Sequence, residues 1–298
     1  MPQSFDDTAP YATADAFAAG FFVPPPPTVK VTYGGATHPG KIRDQNEDHF
    51  AVVHRFRSQH LLLTNLSREK LPAFRDEAYA FIVTDGIGGA AAGELASRLV
   101  MEEAWELSAQ ASSWVMRFHD LADQQVRERT EAYAARMHEK LQQVARDDPR
   151  LQGMGTTWTS AYAVGWDAVV THIGDSRAYL VRDQRLRQLT RDHTLAQALS
   201  DRGMGPEETD LFRHVVTNTL GGGHGQAIPD VIHIQLQAGD RLLLCTDGLS
   251  EMVDDRRIEE VLRSISAPQD ACDALIEKAL EQGGKDNVTV ILADFGEV

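Results

Sequence analysis

The sequence predicts an α+β fold in which antiparallel sheets carry segregated helices, and two observations lead there. Apolar, β-branched runs arrive in clusters, and helix-period segments fall between the clusters instead of alternating with single strands. Within the clusters, Gly165-Trp166-Asp167 and Asp183-Gln184 are turn formers so short that the flanking runs must pair as hairpins. A chain of 298 residues that is 42% hydrophobic and 24% charged can bury a large core without covalent staples.

Taken in order, residues 1–28 read as a flexible tail, with Pro24 to Pro27 favouring a stiff polyproline II stretch. Residues 29–298 read as one domain. Its first strand cluster is 30–34, 49–54, 59–63 and 78–84, with 55–77 lengthening a connection as a surface extension. Leu95, Leu99 and Val100 mark a first helix, and Tyr133, Met137, Leu141 and Val144 a second at i, i+4, i+8, i+11. The second cluster is 156–164, 168–173, 177–182 and 185–190, followed by a short helix over 195–204 around Leu195 and Leu199. Strands over 230–236 and 241–246 precede a helix marked by Ile258, Val261, Leu262 and Ile265. A last helix spans 267–282, with Ser266 and Gln269 spaced as a capping box and Gly283-Gly284 as its stop. The final strand is 287–295.

Composition narrows the function. Cys245 and Cys272 are the only cysteines, so a disulfide framework is not expected and a reducing compartment is. No apolar run reaches the length of a membrane span, and no secretion signal opens the chain, so a cytoplasmic location is expected. The net charge of −15 argues against nucleic acid or an anionic membrane as partner. It also means that an anionic substrate would need positive charge from elsewhere, and metal ions are one source.

Residues 81–93, FIVTDGIGGAAAG, pose the central choice. A glycine-rich turn after a strand can cradle phosphate, which suggests a nucleotide-binding protein. A dinucleotide fold, however, needs a parallel strand soon after the helix that follows, and here a second long helical region intervenes. The other reading centres on Asp85. Asp175, Asp247 and Asp286 also stand at strand ends beside Gly or Asn, and Glu47-Asp48 precede the run from Phe50 to Val53. Any one of these alone could be a turn former. Several converging on one sheet edge would need cations, because mutual repulsion would otherwise protonate them. Oxygen donors suit Mg²⁺ or Mn²⁺ rather than zinc, and no His-Glu-x-x-His or paired-cysteine motif occurs.

Six motifs then fall in a recognisable order: Arg43-x-x-Asn46-Glu47-Asp48, Asp85-Gly86-x-Gly88-Gly89-x3-Gly93-Glu94, Gly153-Met154-Gly155-Thr156-Thr157, Gly174-Asp175-Ser176-Arg177, Thr246-Asp247-Gly248 and Asp286-Asn287-Val288-Thr289. In this order and spacing, across about residues 30 to 296, the chain resembles the metal-dependent protein phosphatases (protein phosphatase 2C, PPM) of bacterial type. The resemblance implies an α-β-β-α sandwich, a binuclear Mn²⁺ or Mg²⁺ site, and hydrolysis of phosphoserine and phosphothreonine in proteins by a water bridging two cations. It implies that Asp85 bridges both ions, that Gly86 supplies a carbonyl, and that Asp247 and Asp286 complete one shell. Glu47 and Asp48 would sit beside the other ion. Asp175 would recruit a weaker third ion, and Arg43 would hold the substrate phosphate through its planar fork. Phosphorylated proteins would be the substrates, a serine/threonine kinase a partner, and the chain a monomer.

Two departures stand out. Some family members carry a histidine, proposed as general acid, where Ile87 stands; leaving-group protonation then falls to water or another residue. Glu251 stands four residues after Asp247 where Asp is common, and is a candidate for the third-ion shell. Thr157 is a candidate supporting hydroxyl, and residues 194–216 correspond to the family's variable flap. The alternative function is a non-catalytic regulatory or phosphoprotein-binding module of the same fold. Loss of the metal aspartates would favour it, and Asp85, Asp247 and Asp286 are all present.

Overall fold

The computed structural model describes residues 29–59, 62–63, 65, 74–110, 122–222 and 225–298. The tail expected over 1–28 lies outside the described residues.

Two five-stranded antiparallel sheets form the centre. The first runs β1 (Val29–His38), β13 (Val288–Glu297), β12 (Arg241–Cys245), β8 (Arg177–Arg182), β9 (Arg185–Gln188). The second runs β11 (Asp230–Gln235), β7 (Asp167–Ile173), β6 (Trp158–Val164), β3 (Phe74–Thr84), β2 (His49–Gln59). Period-two patterning assigns each strand face. On β12, Leu242 and Leu244 point between the sheets with Ala178, Leu180, Ile291 and Phe295, while Leu243 and Cys245 point outward. Phe81 of the second sheet meets Phe295 of the first edge to face, centroids 6.4 Å apart. Each such fully buried side chain stabilises the fold by about 1.5–3 kcal/mol.

Helices cover both outer faces. α1 (Ala90–Gln110) and α2 (Asp123–Asp147) lie on the second sheet through Val100, Leu107, Met137 and Leu141. After the short α3 (Leu195–Ser200), α4 (Pro206–Thr209) and α5 (Asp247–Ser250), helices α6 (Asp255–Ser264) and α7 (Pro268–Glu281) cover the first sheet through Ile258, Leu262, Leu275 and Ala279. The architecture is an α-β-β-α sandwich. Among the described residues no helix is long and apolar enough to cross a membrane.

Several local expectations hold. The β8–β9 hairpin turns through Asp183 and Gln184, with φ of 51° and 60°, as a two-residue primed turn requires. Gly283 and Gly284, with φ of 122° and 53°, end α7. Others are corrected. Among the described residues of the strand expected over 59–63, Gln59 ends β2, and Leu62 and Leu63 are exposed outside any strand. The span 55–77 is less of an extension than expected, because its two ends prolong the β2–β3 ladder as far as Gln59 opposite Phe74. The helix over 195–204 stops at Ser200. The capping box before α7 does not form. Ala267 is the N-cap and Pro268 opens the helix, while Gln269 bonds to both the N–H and the carbonyl of Gly35 on β1.

The run 156–164 is also broken at Thr157, into β5 (Gly155–Thr156) and β6. β5 leaves the large sheet to pair with β4 (Gly86–Ile87) and β10 (Leu220–Gly221), forming a third sheet with two-residue strands. That small sheet anchors the loop after Asp85.

Candidate metal centre

Asp85 leaves the end of β3 and is held by its backbone. Its N–H donates to Thr157 Oγ1 at 2.9 Å, and its carbonyl accepts from the Thr157 N–H at 2.9 Å and from Thr156 Oγ1 at 2.8 Å. Thr157 Oγ1 is itself 2.8 Å from Ser176 Oγ, beside Asp175. Thr157 therefore ties the Asp85 turn to the Asp175 turn. Gly88 and Gly89, with φ of 127° and 83°, let the chain reverse into α1.

The start of α1 fits against Glu47 without a gap. A Cβ at Gly93 would land on Glu47 Oε2, and Ser97 Oγ donates to the Glu47 carbonyl at 2.5 Å. The Glu47 N–H donates to Asn287 Oδ1 at 2.8 Å, so Glu47 is clasped between α1 and the segment before β13. Asp48 lies deeper. Its Oδ2 accepts from Thr246 Oγ1 at 2.8 Å, and Thr246 also receives the Thr289 N–H at 3.0 Å.

Asp247 opens α5, its carbonyl accepting from the Glu251 N–H at 2.8 Å. Asp286 accepts from its neighbour's backbone, Asn287 N–H at 2.8 Å, and from Arg43 Nη2 at 2.6 Å. Arg43 is half exposed, and its guanidinium pKa is raised chiefly by the hydrogen bond to Asp286. Glu251 does not point freely inward: its Oε1 lies 3.0 Å from His214 Nδ1 in the segment 194–216. The segment 194–216 is closed at its base by a bridge between Thr194 and Val216.

The electrostatics follow from crowding. Burial raises the Asp85 carboxyl well above its ordinary range, and the charges of Asp48, Asp247, Asp175 and Asp286 push it further. Asp247 is raised by burial and then by Asp175, Glu251, Asp286 and Asp48. Burial lifts Asp48 to about 7 against the hydrogen bonds from Thr289 and Thr246, and Asp175 to about 6. Glu47 is raised by burial and lowered by Arg43. Carboxylates from five separate segments thus feel one another's charge at one end of the sandwich.

Do these residues fit divalent ions? Among the described residues, no three His, Cys, Asp or Glu side chains close into a ready-made chelate. Hard ions such as Mg²⁺ need few direct protein ligands, since they dehydrate reluctantly and keep several waters. The buried side-chain atoms without a hydrogen-bond partner, among the described residues, are Asp48 Oδ1 and Asp247 Oδ1. An unpartnered buried carboxylate oxygen is costly unless a cation uses it. Orphaned oxygens, an all-oxygen donor set and the excess of negative charge fit hard divalent cations.

Residues beyond the expected set hold the site together. Thr246 and Asn287 bridge segments far apart in sequence, Asn287 Nδ2 also donating to the carbonyls of Pro39 at 2.9 Å and Gln45 at 2.8 Å. Their only sequence signal was adjacency to Asp247 and Asp286. His193 accepts the Gly174 N–H at 3.2 Å and lies 3.3 Å from Asp230, which fixes the turn before Asp175. Asn287→Ala should cost about 3 kcal/mol in urea unfolding, because three hydrogen bonds, one buried and two part-buried, are lost at once. A loss below about 1 kcal/mol would show that the clasp is not structural.

Comparison with known proteins gives one consistent result. The family model for protein phosphatase 2C matches residues 71–282. The serine/threonine protein phosphatase PstP of Mycobacterium tuberculosis is 40% identical over 228 residues, covering 74% of this chain and 41% of PstP, so the chain spans under half of that relative's length. The serine/threonine phosphatase stp of Listeria innocua is 31% identical over 264 residues, covering 87% of this chain and 93% of stp. Among solved structures, the PstP catalytic domain in complex with two manganese ions shares 33% identity at a TM-score of 0.69, covering 91% of this chain and 100% of that one. Stp1 from Staphylococcus aureus shares 28% identity at a TM-score of 0.73, covering 91% and 97%.

Proposed function

The chain belongs to the protein phosphatase 2C family, and on that premise we propose that it hydrolyses phosphoserine and phosphothreonine in proteins, dependent on Mn²⁺ or Mg²⁺. The observation that carries this reading is the pair of orphaned buried oxygens on Asp48 and Asp247, set among carboxylates that repel one another. Asp85, Asp247, Asp286, Glu47 and Asp48, with the Gly86 carbonyl, would hold the core ions. Asp175 would serve a weaker third, with Glu251 at its edge.

When bound, the ions acidify water and offset charge on the phosphoryl oxygens. The chain's own residues do the rest. Arg43 has further N–H donors beyond the one on Asp286, and its half-exposed fork can take a phosphate oxygen at the rim. Asp286 thereby aims the guanidinium before substrate arrives, which lowers the entropy cost of holding the phosphate in line. Thr157 fixes the Asp85 and Asp175 turns relative to each other. The substrates are phosphoproteins supplied by a serine/threonine kinase, and a reducing, cytoplasmic setting suits Cys245 and Cys272, both buried free thiols.

A phosphothreonine peptide tests the activity. Hydrolysis should require free Mn²⁺ or Mg²⁺ in roughly the millimolar range, as water-rich carboxylate sites imply, and excess EDTA should abolish it. Full turnover in EDTA would overturn the metal-dependent reading. Asp175→Ala tests the division of roles. It should lower turnover about 10- to 100-fold while calorimetry still finds the tight metal sites. Loss of those sites, or unchanged turnover at every metal concentration, would show that Asp175 does not serve a separate ion.

A further inference from the structure

Beneath α1 and α2 the second sheet presents small side chains where large ones would fill the layer. Ala80 lies in register between Val53 and Tyr162, and Ser160 between Ile82 and Thr171. Above them α1 offers Ala104. The result is a cavity of about 250 Å³ between sheet and helices. Tyr162 and Ile82 stay half-buried although helices cover their sheet face, so the space opens to solvent.

Its chemistry differs from that of the metal centre. No acidic side chain lines it among the described residues, in a protein of net charge −15. Aromatic rings of Trp105, Tyr133, Trp158 and Tyr162 and the sulfurs of Met101 and Met137 border it. Such groups favour an aromatic guest through edge and sulfur contacts. The hydroxyls are already engaged: Thr130 donates to the Val126 carbonyl at 2.8 Å, and Ser160 accepts from Trp158 Nε1 at 3.0 Å.

Arg55 is the exception. Its one hydrogen bond among the described residues goes to the Ser108 carbonyl at the end of α1, at 2.5 Å, which leaves further guanidinium donors at the cavity wall. Its charge reaches the half-buried Tyr162, lowering a pKa that desolvation raises.

We propose that this cavity binds a small arylalkanoic acid, its ring among the aromatic and methionine side chains and its carboxylate on Arg55. An apolar cavity of about 150 Å³ takes benzene; scaled to the volume here, the guest has about ten heavy atoms. The site is separate from the phosphatase centre, so its existence does not depend on the proposed activity.

The probes are 3-phenylpropionate and its neutral counterpart 3-phenylpropan-1-ol, followed by calorimetry and by the fluorescence of Trp105 and Trp158. The acid should bind once per chain with Kd of roughly 0.1–1 mM, a range set by so few atoms, and the alcohol about tenfold more weakly. Arg55→Gln should erase that difference. Ala104→Phe should weaken both at least tenfold by filling the space, with Tm and phosphopeptide turnover kept. Equal affinity of acid and alcohol for the unmodified protein would overturn the role of Arg55. Undiminished binding to Ala104→Phe, or no saturable binding to about 10 mM, would overturn the site.

Discussion

Asp85→Asn should reduce phosphopeptide turnover by about a thousandfold or more and leave the metal-free protein no less stable than the parent. The two effects have one cause. In the folded chain Asp85 is buried against four other carboxylates, which makes its ionised form costly. The folded-state pKa is raised, so that cost grows as pH rises above the ordinary carboxylate range, and a neutral amide escapes it. The same charge would draw cations to the proposed site. Calorimetric metal titration beside thermal unfolding in chelator separates the two. A variant that binds Mn²⁺ as tightly as the parent, or that unfolds well below it without metal, would show that Asp85 serves packing rather than ions.

The second large effect comes from a methyl group. Gly248 lies in α5 immediately after Asp247, and a Cβ there would land on the carbonyl of Asn287 and crowd Val288. Neither neighbour can yield, since Asn287 holds Glu47, Pro39 and Gln45 and Val288 lies in the core. Gly248→Ala should cost about 3 kcal/mol, lower Tm by about 6–10 °C, and depress turnover by displacing Asp247. Gly205→Ala is the control, because a Cβ there would meet only Glu208 Oε2, at an ordinary contact distance of 3.8 Å; it should change stability by less than about 0.5 kcal/mol. Reduced entropy of the unfolded chain would stabilise both variants, so similar losses in both would mean that contact with Asn287 is not the cause.

The α+β class and most elements could be read from the sequence because their signals are local. Leu242 to Leu244 alternate between two buried layers, and Tyr133, Met137 and Leu141 recur on one helical face. The failures have equally physical reasons. β4, β5 and β10 are two residues long and display no period at all. Gln269 had the spacing of a capping residue, but a sheet-edge backbone 234 positions away offered it two bonds instead. Leu62 and Leu63 have strand composition yet pair with no strand among the described residues. At the candidate metal centre, aspartates beside glycine at strand ends were visible as a pattern. The roles of Thr246 and Asn287 were not, because their partners Asp48 and Glu47 lie 198 and 240 positions away.

β13 sits between β1 and β12, and Asp286 and Asn287 are the residues that lead into it. The first strand of the described domain therefore has no hydrogen-bonded neighbour until the last one has been synthesised. A nascent chain emerging from the ribosome can pair β2, β3, β6 and β7 of the second sheet once Ile173 is made, before any strand of the first sheet other than β1 exists. The first sheet must wait, with β1 an unsatisfied edge that a second nascent chain could capture. Closing a loop of about 260 residues makes this a high-contact-order, slow step. Asp286 and the Asn287 clasp on Glu47 are delivered only by that step, so the candidate metal centre is assembled only when β13 joins the first sheet.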